Sequence, residues 1–466
     1  MLPNSNASSR TRSPPLTFRG ETMSRDLSAS APEWPREIVD ANRSGQRVGL
    51  FSVCSAHPAV LCAAMRQALD NDAMLSVEST SNQVNQFGGY TGLTPAQFVD
   101  LLRSMAQEVG LPPTRILIGS DHLGPYPWRG EVSATALEKA GELARACVFA
   151  GYSKIHLDAS MSCGDDPTPL DEETVARRAA QLCSVAERAH GERNGSSPPP
   201  LYVIGTEVPV PGGEPSSAVA PQPSTVEHVR STLHNFRNAF LAGGLRAAWE
   251  RVIGLVVQSG AEFSDVQVFD YDPRKTSSLR KNLPEQPTLV YEAHSTDYQT
   301  ASALTRMVED HFAILKVGPW LTFAYREAIF ALSAIERDWL AGRRSVRLSV
   351  VRDALEAAML CNPVHWRGYF REQDTAMQSV FRQFSFSDRC RYYWPDSAVQ
   401  WEVDLLLHNL TLDEIPLTLI SQHFPEHYDR IRAGELIASP HNLIEQHIRK
   451  VLNLYSNACG FSSESP

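Results

Sequence analysis

Carboxylates and imidazoles in this sequence gather where short apolar runs end. Ser120-Asp121-His122 follows one run, His156-Leu157-Asp158 another, Thr206-Glu207 a third and Glu292-Ala293-His294 a fourth. Imidazole nitrogen and carboxylate oxygen suit a divalent metal, zinc foremost, and a catalytic zinc keeps three protein ligands and one open position. His122, Glu207 and His294 are the candidate ligands, with His57 and His156 in reserve. Asp121 beside His122 suggests a general acid/base next to a metal ligand. Asp158 and Glu292 are the further candidates for proton transfer. The competing readings are a hydrogen-bonded polar network without metal and, for Asp121, a cap on the loop that follows. Burying so many ionisable groups costs several kcal/mol each unless they are paired or metal-bound.

A phosphate would need backbone N–H donors at a helix start, a place barrel folds often provide after their last strands. Lys316-Val317-Gly318-Pro319 leads into a helix expected over Leu321–Leu332. Gly318 allows close backbone approach there, and Lys316 or Arg326 supplies charge. Asn82 and Gln83, in the polar stretch Ser79–Gln86, are candidate substrate contacts, as is Arg389 in Ser387–Trp394. That last segment either reaches over the site or forms an aromatic packing surface.

The elements that must position these groups repeat. Eight apolar runs are visible: Val48–Ser55, Met74–Ser79, Arg115–Ser120, Lys154–Ala159, Tyr202–Thr206, Val252–Gln258, Thr288–Ala293 and His311–Val317. They lack strict alternation, as strands buried on both faces do. Between them lie helical stretches over Pro95–Gln107, Ala134–Phe149, Asp171–Ala189, Val226–Leu241 and Thr300–Val308. Strand–helix alternation implies parallel βαβ units, and eight such runs imply a closed (β/α)8 TIM barrel, whose active-site face is formed by the strand C-termini. The sixth unit is the weakest, because the helix expected after Gln258 is poorly patterned. Glu192–Pro200 and Pro211–Ser224 read as loop inserts, the second on the active-site side as a lid or a passive loop. Residues 1–35 read as a disordered extension with Met23 an alternative start, 36–343 as the barrel, and 344–466 as a C-terminal helical lobe with helices over Val350–Leu360, Ala398–Leu410 and Pro440–Leu454.

The chain's charge of -10 disfavours nucleic acid or an anionic membrane as partner. No apolar run approaches the roughly 20 residues of a membrane span. The eight cysteines form no Cys-x-x-Cys pair, which argues against a zinc ribbon, an iron–sulfur cluster or a disulfide scaffold and fits a reduced, cytoplasmic setting. No Gly-x-x-x-x-Gly-Lys-Ser/Thr loop is present, which disfavours a P-loop kinase.

Several strings are long enough to compare with a known family. Ser52–Pro58, Ser81–Gly92, Ser120–Pro125, Lys154–Cys163, Ile204–Glu214, Tyr291–Gln299 and, in the tail, Ser387-Asp388-Arg389 with Arg391–Pro395 resemble the GatZ/KbaZ family of tagatose-1,6-bisphosphate aldolase subunits. The resemblance runs from about residue 36 to 457; the N-terminal extension and the Glu192–Pro200 insert depart from it. It implies a class II aldolase-type barrel acting on a phosphorylated ketohexose in tagatose, galactitol or N-acetylgalactosamine breakdown, with a separate class II aldolase catalytic chain as partner. It also admits stand-alone relatives that interconvert tagatose 6-phosphate and fructose 6-phosphate as C4 epimerases. A metal on the ketose C2 and C3 oxygens, with Asp121 or Asp158 as acid/base, would serve both reactions through cleavage of the C3–C4 bond. Oligomeric state is left open.

Overall fold

The structure, a computed structural model, describes residues 33–193, 197–206, 220–371 and 373–461. The N-terminal extension up to residue 32, Glu207 and most of the Pro211–Ser224 insert lie outside the described residues.

All eight runs form strands: β1 (Leu50–Val53), β2 (Leu75–Thr80), β3 (Ile116–Leu123), β4 (Lys154–Leu157), β5 (Leu201–Ile204), β6 (Val252–Val256), β7 (Val290–Ala293) and β8 (Ile314–Val317). They pair in parallel in chain order, and β1 pairs with β8 through Leu50 opposite Ile314 and Val53 opposite Val317, which closes the barrel. Nearly every strand residue is buried, as expected where one face meets the outer helices and the other the lumen. The helix Trp34–Arg43 plugs the N-terminal end: Trp34 and Ile38 pack on Leu50 and Leu117, and Val39 packs on Val203, Ile253 and Ile314. The C-terminal mouth is the end where the polar residues gather.

The outer helices start where local chemistry permits. Thr94 and Gln97 form a reciprocal capping box around Pro95, and the helix Pro95–Val109 ends on Gly110 at φ +82°. Asp171, Thr225 and Thr300 cap the helices starting at Glu172, Val226 and Ala301 by accepting the backbone N–H three residues on. The sixth unit departs from the pattern: β6 is followed by a two-stranded antiparallel ribbon, Glu262–Phe263 with Val268–Phe269, and a short helix at Ser277–Lys281. The poor patterning after Gln258 reflects this replacement.

The C-terminal helices fall over Val351–Cys361, Ser397–Thr411 and Pro440–Ala458. The last packs against the helices Pro58–Asp70, Ala301–Glu309 and Pro319–Leu340, so it fills the outer ring between the seventh and first units. Its Leu452 and Tyr455 belong to the same hydrophobic core as Phe51, Ala64 and Leu304. One core therefore crosses residue 344, and the lobe completes the barrel. No helix among the described residues is long and apolar enough to cross a membrane.

Candidate active site

A cavity of about 940 Å³ opens at the mouth and runs outward between the helices Pro58–Asp70, Pro95–Val109, Ser397–Thr411 and Pro440–Ala458. Asn82, Gln83, Asp121, His122, His294, Lys316 and Gly318 all line it. Its floor is a buried charge cluster drawn from five strands. Lys154 Nζ lies 2.7 Å from Glu78 Oε1 and 3.0 Å from Glu292 Oε2. Lys316 Nζ contacts Glu78 and lies 2.8 Å from Asp121 Oδ1. Burial alone would drive the Asp121 and Glu292 carboxyls up, but the neighbouring cations hold both well below the usual carboxylate range. Burial would likewise lower Lys316, and Asp121, Glu292 and Glu78 hold it well above its ordinary value.

The end of β3 is irregular, which brings adjacent side chains to one place. Register with β4 shifts between Ser120 and Leu123, and His122 sits at φ +48°. Asp121 and His122 thereby both face the mouth. Gly124 lets β3 pass over β4, since a Cβ there would collide with the Asp158 carbonyl. That approach places Asp158 Oδ2 at 2.9 Å from His122 Nδ1. On the other side, Glu292 Oε1 lies 2.9 Å from His294 Nε2. A carboxylate only accepts, so in each pair the facing nitrogen donates. His122 Nε2 and His294 Nδ1 are left to offer lone pairs, the carboxylate–histidine arrangement of metal sites.

Three imidazoles form the cluster: His122, His156 and His294 have ring centroids 5.0–5.2 Å apart. Asp121, His122 and His294 have ligand atoms within 4.8 Å of one another, as do His156, Glu292 and His294. His156 Nδ1 lies 3.1 Å from the His122 backbone nitrogen and 3.4 Å from Asp121 Oδ1. Because Nδ1 accepts the His122 N–H, Nε2 carries the ring proton, and it is buried with no hydrogen-bond partner among the described residues. Burial lowers His294 to about 4, while Asp158 is held at about 2 against burial by its bond to His122. The donor set fits a divalent metal.

The structure places several of the expected residues away from the cavity or already engaged. Asp158 and Glu292 are not among the residues lining the cavity; each lies against a histidine that is, Asp158 on His122 and Glu292 on His294. Arg326 also lies outside the mouth: its guanidinium sits 3.8 Å over the Phe323 ring and donates to the Gln383 carbonyl. Arg389 stacks 3.3 Å from the Tyr369 centroid, and Arg391, two residues on, lines the cavity instead. Gly318 lines the cavity, but its N–H and that of Trp320 donate to Asp297 Oδ1 at 3.0 and 2.8 Å, so the helix start expected to hold phosphate is already capped by a carboxylate. Burial raises that carboxyl to about 6. Glu207 lies outside the described residues.

The segment Ser387–Trp394 does reach over the mouth. Its Arg391 donates to the Tyr392 hydroxyl at 3.0 Å, and the Tyr392 ring meets Tyr90 edge-on at 4.6 Å. Burial would raise the Tyr392 phenol, but Arg391 and Arg389 carry it below its ordinary value. Arg391, Tyr90, Asp297 and Lys154 were not singled out from the sequence; for Arg391 the available signal was the basic, aromatic run around it.

The fold and the mouth together are those of a parallel eight-stranded (β/α)8 barrel with imidazoles, carboxylates and a buried lysine at the strand C-termini, the face on which barrel active sites form. Residues 36–460 match the family described as D-tagatose-1,6-bisphosphate aldolase subunit GatZ/KbaZ-like, and the chain belongs to that family. A Klebsiella pneumoniae protein named D-tagatose-1,6-bisphosphate aldolase subunit GatZ is 47% identical over 431 residues, covering 92% of this chain and all of that one. The Salmonella agona protein of the same name is 47% identical over 91% of this chain and 99% of its own. A crystal structure from Sinorhizobium meliloti, described as a probable tagatose 6 phosphate kinase, superposes with a TM-score of 0.80 at 40% identity, over 88% of this chain and all of that one.

Proposed function

We propose that this chain is the GatZ/KbaZ-type subunit of a class II D-tagatose-1,6-bisphosphate aldolase, serving carbohydrate breakdown in the cytoplasm together with a class II aldolase catalytic chain. Full-length similarity to proteins of that name supports the reading. The observation that carries it to this site is the pair of carboxylate–histidine contacts, Asp158 with His122 and Glu292 with His294, each 2.9 Å.

His122 and His294 would hold a divalent cation, with Glu207, the third candidate read from the sequence, completing the set. Zinc fits this ligand chemistry. When bound, such a cation stabilises negative charge developing on the ketose oxygens. Asp121, ionised and 2.8 Å from Lys316 Nζ, is the acceptor for a sugar hydroxyl proton. Arg391 and Tyr392 receive the phosphate end, and Asn82 and Gln83 the sugar hydroxyls between.

The ionised Asp121 beside His122 and His294 in one cavity also favours a second reading, in which the chain alone epimerises tagatose 6-phosphate at C4. One experiment separates them. The purified chain is assayed for metal, for C4 epimerisation of tagatose 6-phosphate, and for tagatose 1,6-bisphosphate cleavage with and without a class II aldolase catalytic chain. Cleavage that needs both chains supports the subunit. Epimerisation by the chain alone, abolished by EDTA, would replace it with the second reading.

A further inference from the structure

Away from the barrel mouth, Glu426, His427 and His447 present ligand atoms within 4.8 Å of one another. They come from two separate pieces of chain: Glu426 and His427 from the turn Pro425–His427, and His447 from the helix Pro440–Ala458. A third piece joins through Glu327 on the helix Pro319–Leu340. His447 Nδ1 lies 3.0 Å from Glu426 Oε1, and its Nε2 lies 3.1 Å from Glu327 Oε2. His427 is only 5% exposed, and its Nε2 is buried with no hydrogen-bond partner among the described residues. The two imidazoles face each other nearly perpendicular, with centroids 6.4 Å apart, against the buried ring of Phe424.

We propose that Glu426, His427 and His447 form a second divalent-cation site, with Glu327 as the positioning residue behind His447. The ligand chemistry is two imidazoles and one carboxylate, which suits zinc. Glu327 accepts from one nitrogen of His447 and so turns the other toward the cation, the relation that Asp158 and Glu292 have with the histidines of the mouth. The orphan nitrogen of His427 is satisfied by the cation. Lys450, whose Nζ is 3.9 Å from Glu426, is the local opposing charge and keeps affinity below that of a fully acidic site.

The site has a consequence for the cavity. His441, Asn442 and Glu445, between six and two residues before His447 on the same helix, line the cavity's outer wall. A cation joining His447 to the turn Pro425–His427 pins that wall and ties the helix that closes the outer ring to its neighbours. Binding to the folded chain alone raises its stability in proportion to the logarithm of cation concentration.

The test uses the full chain, stripped with EDTA and titrated with zinc chloride. Zinc per chain is counted after desalting, and the melting temperature is followed. Glu426→Gln, His427→Gln and His447→Gln should each lose one equivalent of zinc and most of the zinc-induced rise in melting temperature. In a His294→Ala chain, adding Glu426→Gln should remove a further equivalent, which separates this site from the mouth. Glu426 is exposed, so Glu426→Gln keeps the test readable even if the buried histidine variants fold poorly. Unchanged zinc content and an unchanged thermal shift in Glu426→Gln overturn the proposal.

Discussion

Asp158 Oδ2 accepts from His122 Nδ1 at 2.9 Å, joining two strand ends 36 residues apart in the chain. The bond fixes which nitrogen of His122 faces the mouth. Asp158→Asn can still hydrogen-bond but no longer favours that orientation electrostatically. Metal affinity should fall by about ten- to a hundredfold, read by competition with a chelator. Unaltered affinity would remove Asp158 from this task.

Gly124 makes that bond possible. Because an added Cβ meets the Asp158 carbonyl, Gly124→Ala forces β3 and β4 apart. The expected cost is about 1–3 kcal/mol of stability, measured by denaturant titration, together with loss of metal. Wild-type stability would mean the strand crossing is not needed.

Lys154 is fully buried between Glu78 and Glu292. Lys154→Met leaves both carboxylates short of a partner, and about 3–5 kcal/mol of stability should be lost. A chain that unfolds at the wild-type denaturant concentration would show that Lys316 alone balances the cluster.

Arg391 and Arg326 should separate cleanly. Arg391→Ala should raise KM for the phosphorylated ketose about ten- to a hundredfold, the loss of one hydrogen bond to a charged group. Arg326→Ala should lower the melting temperature and leave KM unchanged, because its guanidinium packs on Phe323 away from the cavity. The reverse result would restore Arg326 to the site.

Asp297 makes stability depend on pH. Its folded pKa of about 6 lies above the unfolded value of about 3.9, so the folded chain binds the proton more tightly. Stability is highest below the unfolded value and declines as pH rises through the folded one, levelling off near pH 7. Asp297→Asn retains an acceptor for the Gly318 and Trp320 N–H groups and removes the titration. Between pH 4 and 7 the wild type should therefore lose about 2 kcal/mol relative to Asp297→Asn, most of the roughly two-unit shift at 1.36 kcal/mol per unit. Parallel pH profiles would contradict this.

The eight strands and most helix positions were legible in the sequence, because burial repeats with the backbone period and caps such as Thr94 and Asp171 act within a few residues. The sixth unit was legible only as a gap. Asp121, His122 and His294 were legible as residues at strand ends, which barrel geometry sends to one face.

Which groups meet was decided by the tertiary structure. Lys154 finds Glu292 across 138 residues and Lys316 finds Glu78 across 238, distances over which no local periodicity speaks. The bulge at the end of β3 turns both Asp121 and His122 inward, and the returning C-terminal segment brings Arg391 rather than Arg389 to the cavity. For Asp158 and Glu292, residue type does not reveal whether a carboxylate lines the cavity or lies against a histidine that does. Sequence alone determined the alternating elements and the chemistry at their ends; closure of the barrel and the path of the chain over its mouth decided which of those side chains share space.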